Sequence, residues 1–218
     1  MVLVRRNRAA CNLLYMLPVK SKYKIAKRLG ANVFEKTQSQ KFALSEARSA
    51  MKKRKGGRGG SDYNRQLLEK QRVRYTYGLA ERQLANYAKR AYELENPSQT
   101  LHAMLEMRVD SIAYRSGLAA TRRAARQMAS HGHLLVNGKR VTTPSHALAI
   151  GDVVTVREGS RTSPLFAHMT GEGAENRNIP SWLIVDRTLM KVEVKGEPLY
   201  GSAETTLDYP TVFEFYSR

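Results

Sequence analysis

Asn137-Gly138 constrains the fold of this chain more than any other pair of residues. The dipeptide lies between "HLLV" and "KRV". A two-residue type I′ connection needs positive φ at both central positions, which Asn and Gly adopt at low cost, so a β-hairpin is predicted here. Just upstream, Thr121 is placed to cap a helix running from Arg122 to about His131, with Ala124, Ala125 and Met128 as its buried side. Downstream of Gly151, "GDVVTVRE" reads as a further strand, whose Val153, Val154 and Val156 suit a small buried sheet. The expected unit is a helix packed on a short antiparallel sheet.

That unit is strongly basic. Residues 120–141 contain Arg122, Arg123, Arg126, Lys139 and Arg140 and no acid, and residues 108–140 hold seven Lys and Arg against the single acid Asp110. Arg122 and Arg126 are one helical turn apart and Arg123 is adjacent, so the three are expected to share the exposed side beside Lys139 and Arg140. Such a row suits a phosphate backbone. An A-form helix hides its major groove, so RNA would be read mainly by shape, phosphates and 2′-hydroxyls.

The whole composition agrees with a polyanionic partner. The 218 residues include 37 Lys and Arg against 19 Asp and Glu, and the pI is about 10.2, the balance of a nucleic-acid binder. The first 75 residues carry 20 basic and 4 acidic side chains, and the rest carry 17 and 15. No apolar run approaches the roughly 18 to 20 residues that cross a bilayer, so no membrane partner is expected. Cys11 is the single cysteine; it cannot form an intramolecular disulfide, and a reducing cytoplasm fits best.

"MVLVRRNRAACNLLYMLPVK" is Arg-bearing and acid-free, like many targeting segments, but its apolar run is short, broken by Asn12, and followed by no small-residue cleavage site. A basic arm over residues 1–20 is the expectation. "KSKYKIAKRLG" alternates basic and apolar residues, with Gly30 suited to a helix end, and residues 40–51 read as a short helix with Phe42, Leu44, Ala47 and Met51 as apolar positions. Lys52, Lys53, Arg54, Lys55 and Arg58, with Gly56, Gly57, Gly59 and Gly60, then make a basic loop able to approach phosphates.

Ser61 or Asp62 can cap the next helix, whose apolar side is Leu67, Leu68 and Val73. Its Arg65, Lys70, Arg72 and Arg74 are then available for phosphates, with Tyr75 and Tyr77 as stacking groups or core. "LAERQLANYAKRAYEL" resumes as an amphipathic helix along Leu79, Leu84, Tyr87, Ala88, Ala91 and Leu94, and stops before Pro97. Leu101, Leu105, Val109, Ile112 and Ala113 recur at helical spacing up to Gly117, predicting one further helix. The five histidines show no HExxH spacing, and neither GxSxG nor GxxxxGK[ST] occurs, so no catalytic site is expected.

"RVDSIAYRSGLAATRRAARQMASHGHLLVNGKRVTTPSHALAIGDVVTVRE" resembles the S-four RNA-binding domain. "SDYNRQLLEKQRVRYTYGLAERQLANY" and "IPSWLIVDRTLMKVEV…FEFYSR" are similar to the small-subunit ribosomal protein four family of the bacterial type, so the resemblance spans residues 61–218. It weakens N-terminally. Some members carry a zinc-binding cysteine cluster there; those cysteines are absent here, so no metal and no other cofactor is expected.

The resemblance implies an α+β chain. A mainly helical domain (21–100 plus 172–218) would hold an inserted small α/β RNA-binding domain (101–171), a helix pair on a short antiparallel sheet. It also implies a primary binder of the 5′ domain of small-subunit ribosomal RNA, at a multi-helix junction, that nucleates assembly. Such a protein would line the messenger entry channel beside small-subunit proteins three and five and influence accuracy in the cytoplasmic ribosome. By position, Thr121, Arg122, Arg123, Arg126, Gln127, Ser130, His131, Lys139 and Arg140 form the contact set of the inserted domain, with Arg108 and Arg115 in the same basic patch. Arg65, Arg72, Arg74, Tyr75 and Arg82 serve the helical domain.

Two other classes share features with this sequence. "RVDSIAYRSG" faintly resembles the Arg-Leu-Asp signature of pseudouridine synthases, with Asp110 at the catalytic carboxylate. Those enzymes carry a separate catalytic domain after the RNA-binding one, whereas fewer than 60 residues of this sequence follow "REGSR", so Asp110 is expected to make a structural ion pair or helix hydrogen bond. A free regulatory RNA binder with the same domain would lack the flanking helices.

Overall fold

The structure is a computed structural model that describes residues 19, 21–52, 61–166, 179–201 and 205–217. Two compact units divide the chain: Met1–Lys89 with Leu207–Arg218, and Arg90–Thr206.

The first unit is helical. Helix α1 (Lys22–Leu29) ends at Gly30, whose φ of 108° lets the chain leave the helix. Helix α2 (Gln40–Lys52) buries Phe42 beside Ala26, Leu29, Val33 and Phe34. Leu44 is 62% exposed and Ala47 is also exposed, so only Phe42 of the predicted apolar side that can be followed reaches this core. Ser61 caps α3 (Asp62–Thr76) by accepting from the Asn64 amide. Helix α4 (Glu81–Tyr92) crosses into the second unit and stops well before Pro97. The terminal helix, α8 (Tyr209–Tyr216), packs along α3, with Tyr63 against Phe215 at 5.8 Å and Gln66 donating to Glu214 at 3.0 Å.

In the second unit, Pro97 opens α5 (Pro97–Glu106), where its missing N–H costs no hydrogen bond. The single helix predicted to run on to Gly117 is two: α6 (Val109–Arg115) starts afresh. Arg108 is extended and pairs with Ala147, and the Leu148 amide donates to the Met107 carbonyl, so these main-chain groups leave the helical ladder. Helix α7 (Arg122–His131) is capped by the Thr121 hydroxyl and ends at Gly132 in the left-handed region.

The predicted hairpin is present. Strands β1 (Leu134–Val136) and β2 (Lys139–Arg140) flank Asn137 at φ 48° and Gly138 at φ 78°. Strand β3 (Val153–Val156) pairs with β1, and Val154 and Val156 are fully buried. The sheet does not end there. Strands β4 (Leu183–Asp186) and β5 (Lys191–Val194) extend it in the order β2-β1-β3-β5-β4, antiparallel throughout. Their pairing differs from the expected boundary at residue 171, which puts them with the helical domain. Val192 and Val194 alternate inward beside Val154, completing a core with Ile112, Met128, Leu134, Phe166 and Trp182. The helix pair α6 and α7 lies on this core, giving the expected α+β class.

Candidate nucleic-acid interface

Two buried carboxylates decide which arginines of the second unit face water. Glu106, wholly buried, accepts from Arg115 Nε at 2.9 Å and Nη2 at 2.8 Å, and from Arg122 Nη2 at 3.0 Å. Arg122 also lies 4.7 Å from the Tyr114 ring centroid and donates to Ser111 Oγ at 3.4 Å. Asp110 accepts the fork of Arg108 at 2.9 and 2.7 Å, and Arg126 Nη1 stands 3.6 Å from the same carboxylate. Buried charges of this kind persist only when paired and hydrogen-bonded. Asp110 therefore has the structural ion pair expected of it.

The row of three exposed guanidiniums is not formed. At about 100° per residue, Ala125, Met128 and Ala129 share one side of α7, and Arg122 and Arg126 lie on the flank next to α6. Their acidic partners come from α5 and α6, outside the acid-free segment that raised the expectation. Arg123, Gln127, Ser130 and His131 occupy the side opposite the core. Arg108, only 1% exposed, and Arg115, held by Glu106, are likewise structural anchors.

Lys139 and Arg140 are exposed on β2, as expected of contact residues. Arg140 Nη2 donates to the His131 carbonyl at 3.0 Å, which ties the strand to the end of α7. Its guanidinium occupies the space that a Cβ on Gly132 would fill. Ser130 Oγ is turned inward, donating to the Arg126 carbonyl at 2.8 Å. From the sequence, His131 and His133, straddling Gly132 at the helix-to-strand corner, are expected to make an RNA or backbone contact and not to bind a metal, whereas sequence reasoning did not place Arg157 and Arg161 in the site. Arg157 and Arg161 are exposed, and the Arg157 amide donates to the His133 carbonyl at 2.9 Å. The basic ending of "VREGSR" was the available signal. Burial first, then the neighbouring His131, Arg157 and Arg140, lower the His133 pKa and favour the neutral ring.

In the first unit Glu81 gathers the cations. Lys70 Nζ lies 2.7 Å from it and 4.2 Å from the Phe215 ring centroid; Arg74 is at 3.4 Å, and Tyr216 donates to it at 3.1 Å. Arg72 donates to the Leu29 carbonyl at the end of α1 and pairs with Glu69. Lys70, Arg72 and Arg74 thus hold helices together, and Lys70 is only 6% exposed. Tyr77 is core, its hydroxyl 3.2 Å from that of Tyr209, and Tyr75 packs edge-on to Phe34. Arg65 and Arg82 are exposed. Lys24, Lys27 and Arg28 on α1 are also exposed, a feature that "KSKYKIAKRLG" had signalled only as alternation. Lys52 ends α2; Lys53, Arg54, Lys55 and Arg58 lie outside the described residues, as does most of the N-terminal arm.

Comparison with known proteins bears on both units. Residues 19–107 match the family described as "Ribosomal protein S4/S9 N-terminal domain", and residues 107–154 match the "S4 domain". The chain is 33% identical over 200 residues to the small ribosomal subunit protein uS4 of Borrelia turicatae, covering 91% of this chain and 96% of that one. It is 36% identical over 203 residues to the uS4 of Roseiflexus sp., covering 89% and 96%. With both domain signatures present in order and the match running nearly end to end, the chain belongs to the small ribosomal subunit protein uS4 family, whose members are structural and not enzymes.

Proposed function

We propose that this chain is a constituent of the small ribosomal subunit that binds its ribosomal RNA directly, at a multi-helix junction of the 5′ domain, and so nucleates assembly in the cytoplasm. Lining of the messenger entry channel beside small-subunit proteins three and five, and an influence on accuracy, belong to the same reading.

The observation that carries it is the sorting of cations in the second unit. Arg108, Arg115, Arg122 and Arg126 are committed to Glu106 and Asp110, whereas Arg123, Lys139 and Arg140, with Gln127 and His131, lie on the outer side of α7 and on β2. The inner arginines brace the helices that carry the outer ones, so little order is lost when the outer ones meet phosphates. In the first unit Arg65 and Arg82 take the corresponding outward role.

A titration of the purified chain against the 5′ domain of small-subunit ribosomal RNA, with a length-matched large-subunit fragment as competitor, tests the reading at two salt concentrations. A preference of about tenfold or more for the 5′ domain, about 1.4 kcal/mol, that survives the higher salt is expected. Equal and steeply salt-sensitive binding to both fragments would reduce the protein to a nonspecific polyanion binder.

A further inference from the structure

Beside the charged row, a shallow depression opens at the junction of α7 and the sheet, lined by Ala124, Gln127, Met128, His131, His133 and Leu165. Phosphate binding does not call for it. Its lining is mostly apolar, its two imidazoles have centroids 6.0 Å apart with planes tilted by 44°, and Gln127 adds an exposed amide. We infer that this depression receives one unpaired nucleobase of the RNA, an adenine, stacked on the His133 ring with its edge read by Gln127. The inference rests on the RNA-binding reading above and deepens it.

Three features favour a base over any other occupant. The His133 ring is fixed by the 3.0 Å hydrogen bond between its Nδ1 and Ser160 Oγ, a rigid flat surface of the kind on which unpaired RNA bases stack. Its surroundings favour the neutral ring, which suits a stacking surface and leaves phosphate to its neighbours. Those neighbours are Arg140, held at the His131 carbonyl, and Arg157, whose amide donates to the His133 carbonyl, so the cations that would bind the backbone lie beside the depression. Gln127 then selects. A carboxamide presents one donor beside one acceptor, the complement of the N6 and N7 positions of adenine, whereas guanine offers two acceptors there and is matched by Arg.

The test uses the full chain and the 5′-domain RNA fragment. Gln127→Leu removes the amide without changing charge, and Leu165→Ala opens the depression from its exposed side. Each unpaired adenine of the fragment is replaced in turn by an abasic nucleotide. One abasic replacement should weaken wild-type binding about tenfold, with the salt slope unchanged. Gln127→Leu should weaken binding to the intact fragment by a similar factor and leave binding to that abasic RNA unaltered. Leu165→Ala should behave the same way, more weakly. If every abasic fragment binds the wild type within about threefold of the intact RNA, or if Gln127→Leu and the abasic losses multiply, the pocket assignment is overturned. The preference for the 5′ domain over the large-subunit fragment is read separately, on the wild type and intact RNA, so failure of the broader reading is distinguished from failure of the pocket.

Discussion

The guanidinium of Arg122 points away from solvent and lies 3.0 Å from the carboxylate of Glu106, a side chain with no exposed surface. This contact joins the start of α7 to the end of α5, sixteen residues upstream. A residue that looks like an RNA ligand is thereby a structural member of the unit.

Replacing Glu106 by Gln should be among the most damaging single changes in the second unit. Arg115 and Arg122 would lose their common partner in a buried place, a class of change that costs about 3–5 kcal/mol. Urea denaturation should register the loss as a lower midpoint with little change in slope. A shift under about 1 kcal/mol would mean that solvent already screens the pair.

Arg123→Ala should separate binding from folding. The side chain lies opposite the core, so stability should stay within about 0.5 kcal/mol. The salt dependence of RNA binding should flatten by about 0.7 to 0.9 of an ion equivalent, the share of one phosphate contact. Arg126→Ala should do the reverse, lowering stability while changing the slope little, because Arg126 faces Asp110. Titrations at four salt concentrations, with melting curves of the same samples, check both.

Asn137 does more than turn the hairpin. Its Nδ2 donates to Asp152 at 2.8 Å and its Oδ1 accepts from the Val153 amide at 2.9 Å, fastening the turn to the start of β3. Asn137→Gly retains the permissive backbone but removes both bonds, and should cost about 1–2 kcal/mol. Asn137→Ala should cost more, because φ is 48° there. Thermal melts of the three proteins give the ranking.

The Asp152 carboxyl accepts from the Ala149 amide and from Asn137, and these bonds hold its pKa below the ordinary 3.8. A depressed folded-state pKa contributes stability that is fully present above the unfolded value and lost as pH falls through the folded one. Stability of the wild type should therefore fall more steeply than that of Asp152→Asn as pH drops from about 5 to below 3.8. Denaturation midpoints across that range, with the Asp152 resonance followed by NMR, test the sign.

Gly132→Ala should affect both properties at once. Gly132 has a φ of 71°, and a Cβ there would meet the Arg140 guanidinium. The left-handed backbone should cost about 1 kcal/mol, and Arg140 should leave the His131 carbonyl, weakening RNA binding about threefold, or roughly 0.6 kcal/mol. Gel-shift titration and melting of the variant separate the two contributions.

Much of the fold was legible from local chemistry. The Asn137-Gly138 turn, the Thr121 and Ser61 caps, the stop at Gly30 and the inward Val154 and Val156 each depend on residues a few positions apart, where φ preference, capping and periodicity act. The break at Met107-Arg108 was not legible, because it is made by Ala147 and Leu148, nearly forty residues away. The last two strands were misassigned for the same reason: β5 belongs beside β3 through pairing that no local pattern records.

The candidate interface divides along the same line. Charge and the helix-hairpin pattern were enough to mark α7 and β2 as the basic face, where Lys139 and Arg140 are exposed and Arg123 is half-buried on the side of α7 opposite the core. They could not tell Arg122 from Arg123, or Arg126 from Lys139, since adjacent residues on a helix point about 100° apart and only the neighbouring helices decide which direction holds a carboxylate. By itself the sequence determined local conformation, total charge and family membership. The tertiary structure decided which cations are free for RNA, because Glu106 and Asp110 reach their arginines only after α5, α6 and α7 have packed, and a buried carboxylate must be paired.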